Sequence, residues 1–205
     1  MTTRFLFARH ATCALTEHVL MGRLLDPPLD QRGESQAFAL ARRLSDERVH
    51  AVLSSPRRRA QQTAGIVAGR LGCLLHTTPV LDEIDFGSWS GQGFASLAND
   101  PHWRRWNAQR SSSRTPAGHD IATLQTRIVG YLNLLARAFG GSTLVLVSHA
   151  EIIRAVLLHS LGASIDEYAR FPIAPGSLSA LRMTAGGLRV DLVNEQPGLE
   201  ERLSA

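Results

Sequence analysis

The chain contains no lysine; all 22 of its basic side chains are arginines. That absence removes every chemistry needing a catalytic amine, including Schiff bases, pyridoxal anchoring and the phosphate-binding lysine of P-loop enzymes. Cysteine is nearly as scarce. Cys13 and Cys73 are the only two, far apart and outside any CxxC or zinc-ribbon spacing, so both are expected as free thiols in a reducing compartment. No HxH or HExxH spacing occurs and no carboxylate cluster accompanies the histidines, so no metal and no cofactor are expected. No run approaches about 18 uninterrupted apolar residues, and the opening MTTRFLFARHA is interrupted by Arg9 and His10. Neither a leader nor a membrane span is expected, and the chain reads as cytoplasmic. The net charge is +4; the sequence pI of about 10.0 reflects the very high pKa of arginine more than a basic face, so nucleic acid is not expected as a partner.

What is present describes one ordinary domain. A chain of 205 residues that is 44% hydrophobic can bury roughly 70% of its unfolded surface without staples, so residues 1–205 are expected to form a single domain, a monomer or a homodimer. Short apolar runs alternate with longer amphipathic ones, the pattern of strands feeding helices in an α/β protein with a mostly parallel central sheet. Phe5 to Ala8, Ala51 to Ser54 and Leu144 to Val147 read as strands, the last apolar throughout, as a strand covered on both faces should be. Helical spacing relates Ala37, Leu40, Ala41 and Leu44, and again Ile121, Leu124, Ile128, Leu132 and Leu135. Another helix starts near Pro56 and runs to about Arg70, and one follows His149. A hairpin is expected around Gly186-Gly187. Residues 88–118, rich in Gly, Ser and Asn with three tryptophans, read as an excursion over one end of the sheet, a lid or substrate wall.

Ligands of parallel sheets bind beyond the carboxyl ends of the strands. There the first strand delivers Arg9 and His10, the second Ser54, Ser55 and Arg57 to Arg59, and the third Ser148 and His149. A lone histidine after a strand is most often a packing residue, but two beside several guanidiniums point to an anion, and planar guanidinium forks suit phosphate oxygens. Successive helical residues diverge by about 100°, so at most one or two of the three arginines can face the crevice. His119 stays open as a candidate, and the other histidines are expected to be structural. Arg104, Arg105, Arg110 and Arg114 read either as solvated charge or as a rim attracting a phosphorylated substrate. Trp103 and Trp106 read as a packed pair.

The ordered motifs resemble the histidine phosphatase superfamily, also called phosphoglycerate mutase-like. FARHAT at 7–12 is similar to its Arg-His-Gly signature; Gly22, Asp26, Pro28, Leu29, Gly33, Gln36 and Ala37 resemble its G..D.PL...G..QA stretch. SSPRRRAQQTA at 54–64, LDEIDFGSWSG at 81–91 and LVSHAEIIRAVL at 146–157 complete a collinear set over most of the chain. The resemblance implies a three-layer sandwich, with His10 as nucleophile, Glu83 as proton donor, and Arg9, Arg59 and His149 holding the phosphoryl group of a small phosphorylated metabolite. Without it, Asp82 and Asp85 are rivals of Glu83. The departures are Ala11 and Ala150 where glycine is commonest, each adding a methyl near the phosphate pocket, Ser90 in place of a glutamate, and His119 where an acid is usual. The implied activity is metal-independent phosphomonoester hydrolysis through a phosphohistidine; a phosphoglycerate-type mutase and a weak phosphoryl-ligand binding module are the alternatives.

Overall fold

The computed structural model describes residues 2–198; the ends of the expected 1–205 domain lie outside the described residues. The strands are β1 (Thr3–Arg9), β2 (Val49–Ser54), β3 (Leu74–Thr77), β4 (Thr143–Ser148), β5 (Leu178–Thr184) and β6 (Gly187–Glu195). They form one sheet in the order β3-β2-β4-β1-β5-β6. Pairing is parallel from β3 through β1 and antiparallel across β5 and β6. The expected hairpin is the β5–β6 pair, turning where Thr184 faces Gly187, which sits at φ 102°.

Alternation within the strands divides the core between two helical layers. Leu6, Ala8, Val145 and Val147 pack towards α1 (Gln31–Arg43) and α2 (Arg58–Leu71). Phe5, Phe7, Leu144 and Leu146 face the opposite way, towards α5 (Ile121–Ala138) and α6 (Ala150–Ser160). The fold is therefore the expected three-layer α/β sandwich. The excursion carries two short helices, α3 (Phe94–Leu97) and α4 (Pro101–Ala108). Trp103 and Trp106 each pack against Trp89, at 5.2 and 6.2 Å between ring centroids, and the Trp89 indole donates to Asp100 at 2.8 Å. These aromatics join the excursion to the core on the α5–α6 side of the sheet.

Two devices fix the chain after β1. The Asp30 side chain caps α1 through Gly33 N–H at 2.7 Å and accepts from the Thr12 hydroxyl at 3.0 Å. Gly33 then lies so close to the same segment that a Cβ there would sit 2.0 Å from the Thr12 carbonyl oxygen. Backbone cannot yield as a flexible side chain can. Gly33→Ala is therefore expected to cost about 2 kcal/mol or more, read as a lower urea midpoint; an unchanged midpoint would contradict this packing.

Candidate active site

Strand register brings the two imidazoles together. Arg9 of β1 pairs with Ser148 of β4, so the next residues, His10 and His149, leave the sheet side by side, their ring centroids 5.2 Å apart. β1 continues to β2 on one side of β4, whereas β4 continues to β5 on the other side of β1. The pair therefore stands at the topological switch point, where open α/β sheets bind ligands.

Arg59, in the first turn of α2, joins them. It is 1% exposed, with Nε 3.3 Å from His10 Nε2 and Nη2 3.4 Å from His149 Nδ1. Its remaining donors are held by the Gly22 carbonyl at 2.9 Å and the Leu25 carbonyl at 3.1 Å. Asp26 lies 3.5 Å from Nη1 and also caps α2, accepting from Arg58 N–H at 2.8 Å. Arg57 instead pairs with Asp82 at 2.9 Å, and the Arg58 side chain lies at the surface. One of the three arginines faces the imidazoles.

The hydrogen bonds assign the tautomers. His10 Nδ1 is 2.9 Å from the Ala11 carbonyl, which can only accept, so Nδ1 carries the proton and Nε2 keeps its lone pair. A guanidinium can only donate, so His149 Nδ1 accepts from Arg59 and its Nε2–H donates to Ser55 Oγ at 2.7 Å. The Ser55 hydroxyl reaches Asp82 at 3.4 Å. Both imidazoles sit well below the usual histidine pKa, chiefly because they are buried and then because Arg59 stands beside them. Two neutral rings result at neutral pH.

Glu83 completes the group, with Oε2 3.8 Å from His149 Nδ1. Burial, reinforced by the charge of Glu151 and opposed by Arg59, raises its carboxyl to about 7. Its rivals are occupied elsewhere: Asp82 by Arg57, and Asp85 by the Gly87 N–H at 2.9 Å. Arg9 donates to the Ile173 carbonyl at 2.6 Å, and burial, followed by the nearby Arg154, lowers its pKa. Arg9, His10, Arg59 and Glu83 line a cavity of about 260 Å³, and His149 meets Arg59 without itself lining it. Among the described residues, no three His, Cys, Asp or Glu side chains are grouped to hold a metal ion, and no helix is long and apolar enough to cross a membrane.

One sequence-based expectation changes, and two readings left open find their place. The Ala11 methyl is not in the phosphate pocket; it packs against Leu29 and Ala37, and Ala150 packs against the α5–α6 core. His119 lines a different cavity of about 200 Å³, with Arg114 and Arg127. The arginine rim does not reach the His10 cavity: Arg110 is buried against Glu151, and Arg114 pairs with Asp120 at 3.2 Å. Sequence reasoning gave no role to Gly22 or Asp26, named Ser55 only as a residue at the crevice and weighed Asp82 only as a rival of Glu83. All four stand inside the recognised motifs, but the contacts that engage them, such as the pairing of Asp82 with Arg57, exist only in three dimensions.

A family model described as histidine phosphatase superfamily (branch 1) matches residues 5–196, and the chain belongs to that superfamily. Phosphoserine phosphatase 1 of Hydrogenobacter thermophilus is 30% identical over 185 residues, 88% of this chain and 86% of that protein. A probable phosphoglycerate mutase of Yersinia pestis is 30% identical over 158 residues, 75% of this chain and 73% of that protein. Against mycobacterial relatives at 32% identity, the chain spans about half of their length, 54%. A phosphoserine phosphatase of Entamoeba histolytica, solved with phosphoserine, superposes with a TM-score of 0.85 at 22% identity, over 95% of this chain and 98% of that one. The phosphoglycerate mutase-like fold is shared.

Proposed function

We propose that this protein is a phosphatase that hydrolyses a small phosphomonoester through a phosphohistidine at His10. The observation that carries the reading is the neutral His10 ring lining an arginine-walled cavity, its Nδ1 proton held by the Ala11 carbonyl and its Nε2 lone pair facing Arg59 Nε at 3.3 Å, a donor that an arriving phosphate draws away. Nε2 attacks phosphorus in line, an N–P bond forms as the ester P–O bond breaks, and the leaving alkoxide takes a proton from Glu83. Water then attacks the phosphohistidine and gives its proton to the Glu83 carboxylate, and the N–P bond breaks to release phosphate. The cycle consumes one water and regenerates the enzyme.

Arg9 and Arg59 offset the charge on the equatorial oxygens. Arriving phosphate competes for Arg59 Nη2, which frees His149 Nδ1. The added negative charge favours a proton there, so His149 can donate to the phosphate while Nε2–H stays on Ser55. This scheme takes its positive charge from guanidiniums and needs no metal. The excursion contributes Phe94 to the cavity lining, which supports reading 88–118 as a substrate wall.

The test is turnover of p-nitrophenyl phosphate with and without chelator, by wild type and His10→Ala. Equal wild-type rates in both conditions and loss in the variant are expected; a chelator-sensitive rate would remove metal independence. The name of the Yersinia relative favours a second reading, a mutase that returns the phosphoryl group to substrate. Oxygen-18 from labelled water should appear in released phosphate; isomerised substrate without label would favour the mutase.

A further inference from the structure

Beyond the groups assigned to the phosphoryl end, the cavity is walled by Thr16, Glu17, Val19, Leu20, Met21 and Phe94. The one charge in this outer part is negative. Glu17 has no hydrogen bond or ion pair among the described residues, and it stands on a backbone at φ 74°, a conformation that L side chains adopt only where the surroundings enforce it. The enforcement is visible. Leu20 N–H bonds the Gln92 carbonyl at 2.9 Å, and Phe94 N–H bonds the His18 carbonyl at 3.1 Å, tying this loop to the excursion around the Val19–Gly93 bridge.

Two neighbouring guanidiniums are already committed. Arg23 donates to the Glu83 carbonyl at 2.6 Å and faces Asp82 at 3.6 Å. Arg154 stacks on Tyr168 at 4.2 Å and faces Glu151 at 3.7 Å. On the outer wall itself a second anionic group would meet a carboxylate and apolar side chains, because Arg127, which has no hydrogen bond or ion pair among the described residues, lines the separate cavity with His119.

Building on the phosphatase reading above, we propose that the preferred substrates are phosphate esters of a cationic alcohol, an alkylammonium on a short apolar stem, selected by Glu17, and that esters bearing a carboxylate are disfavoured. The stem packs on Val19, Leu20 and Phe94 while the ammonium pairs with Glu17 at the mouth. Because Glu17 is exposed, the preference is moderate and falls with salt.

The experiment compares phosphoethanolamine, propyl phosphate and phosphoglycolate. At low salt, kcat/KM should fall in that order, by roughly tenfold between the ends. Glu17→Gln should collapse the phosphoethanolamine-to-phosphoglycolate ratio, and added sodium chloride should compress it in the wild type. Equal or better turnover of phosphoglycolate, or a ratio unchanged in Glu17→Gln, would overturn the assignment. Wild-type hydrolysis of p-nitrophenyl phosphate separates the two levels: if it proceeds and depends on His10, such a failure concerns selectivity alone, and if it is absent the phosphatase reading falls and this assignment with it.

Discussion

His10→Ala is expected to lower kcat/KM for every phosphomonoester by at least about 10⁴-fold, because no other group can form the covalent intermediate. The alternatives are visibly engaged. Both imidazole lone pairs face Arg59, at 3.3 and 3.4 Å, but His10 lines the cavity whereas His149 does not and has its N–H on Ser55 at 2.7 Å. The substitution should leave the fold in place. It removes two hydrogen bonds, one to the Ala11 carbonyl and one from Arg59 Nε, and relieves an imidazole crowded by two arginines, so the change in stability should stay within about 2 kcal/mol. Circular dichroism and a denaturant titration check that the loss is chemical. Near wild-type turnover by a folded variant would remove His10 as nucleophile.

Glu83→Gln should divide the substrates by leaving group. An alkoxide cannot depart without a proton, so kcat/KM for an alkyl phosphate should fall by about 10³-fold. p-Nitrophenolate leaves unaided, and kcat/KM for its ester should stay within a few-fold of wild type. kcat for that ester should fall nonetheless, because hydrolysis of the phosphohistidine has lost its base. pH dependence follows from the same group. With its carboxyl raised to about 7, Glu83 is protonated and competent as an acid below that pH, so alkyl phosphate hydrolysis should decline as pH rises through 7. His10 lies well below 6.5, so it stays neutral, and its acid limb falls below that value. Glu83→Gln should abolish the alkaline limb. Equal losses in kcat/KM on both esters, or a limb that persists in the variant, would contradict the proton-donor role.

How far the amino-acid order reveals this arrangement differs from element to element. β1 and β4 are legible because each is a short apolar run buried on both faces, and each hands its histidine directly to the crevice. β3 is not: Leu74, Leu75, His76 and Thr77 are all exposed on an edge strand, so no burial pattern marks them. The arginine run shows the same limit inside the site. Helical geometry restricts how many of Arg57, Arg58 and Arg59 can turn inward, but the choice of Arg59 is made by the Gly22 and Leu25 carbonyls and by Asp26, more than thirty positions away. The choice of Glu83 over Asp82 and Asp85 likewise depends on who holds the rivals, which no periodicity encodes. Ala11 was misjudged for a related reason. Spacing places it beside His10, but its direction is set by the Thr63 hydroxyl, which accepts from its N–H at 3.1 Å, and by the small hydrophobic cluster it joins.

The central claim, a bond between phosphorus and His10 Nε2 during turnover, is tested most directly on Glu83→Gln mixed rapidly with p-nitrophenyl phosphate and quenched in base, where phosphohistidine survives. The account predicts a burst of nitrophenolate equal to the enzyme concentration, together with about 80 Da added to the peptide containing His10. Linear release without a burst, combined with unmodified peptide throughout steady-state turnover, would contradict it.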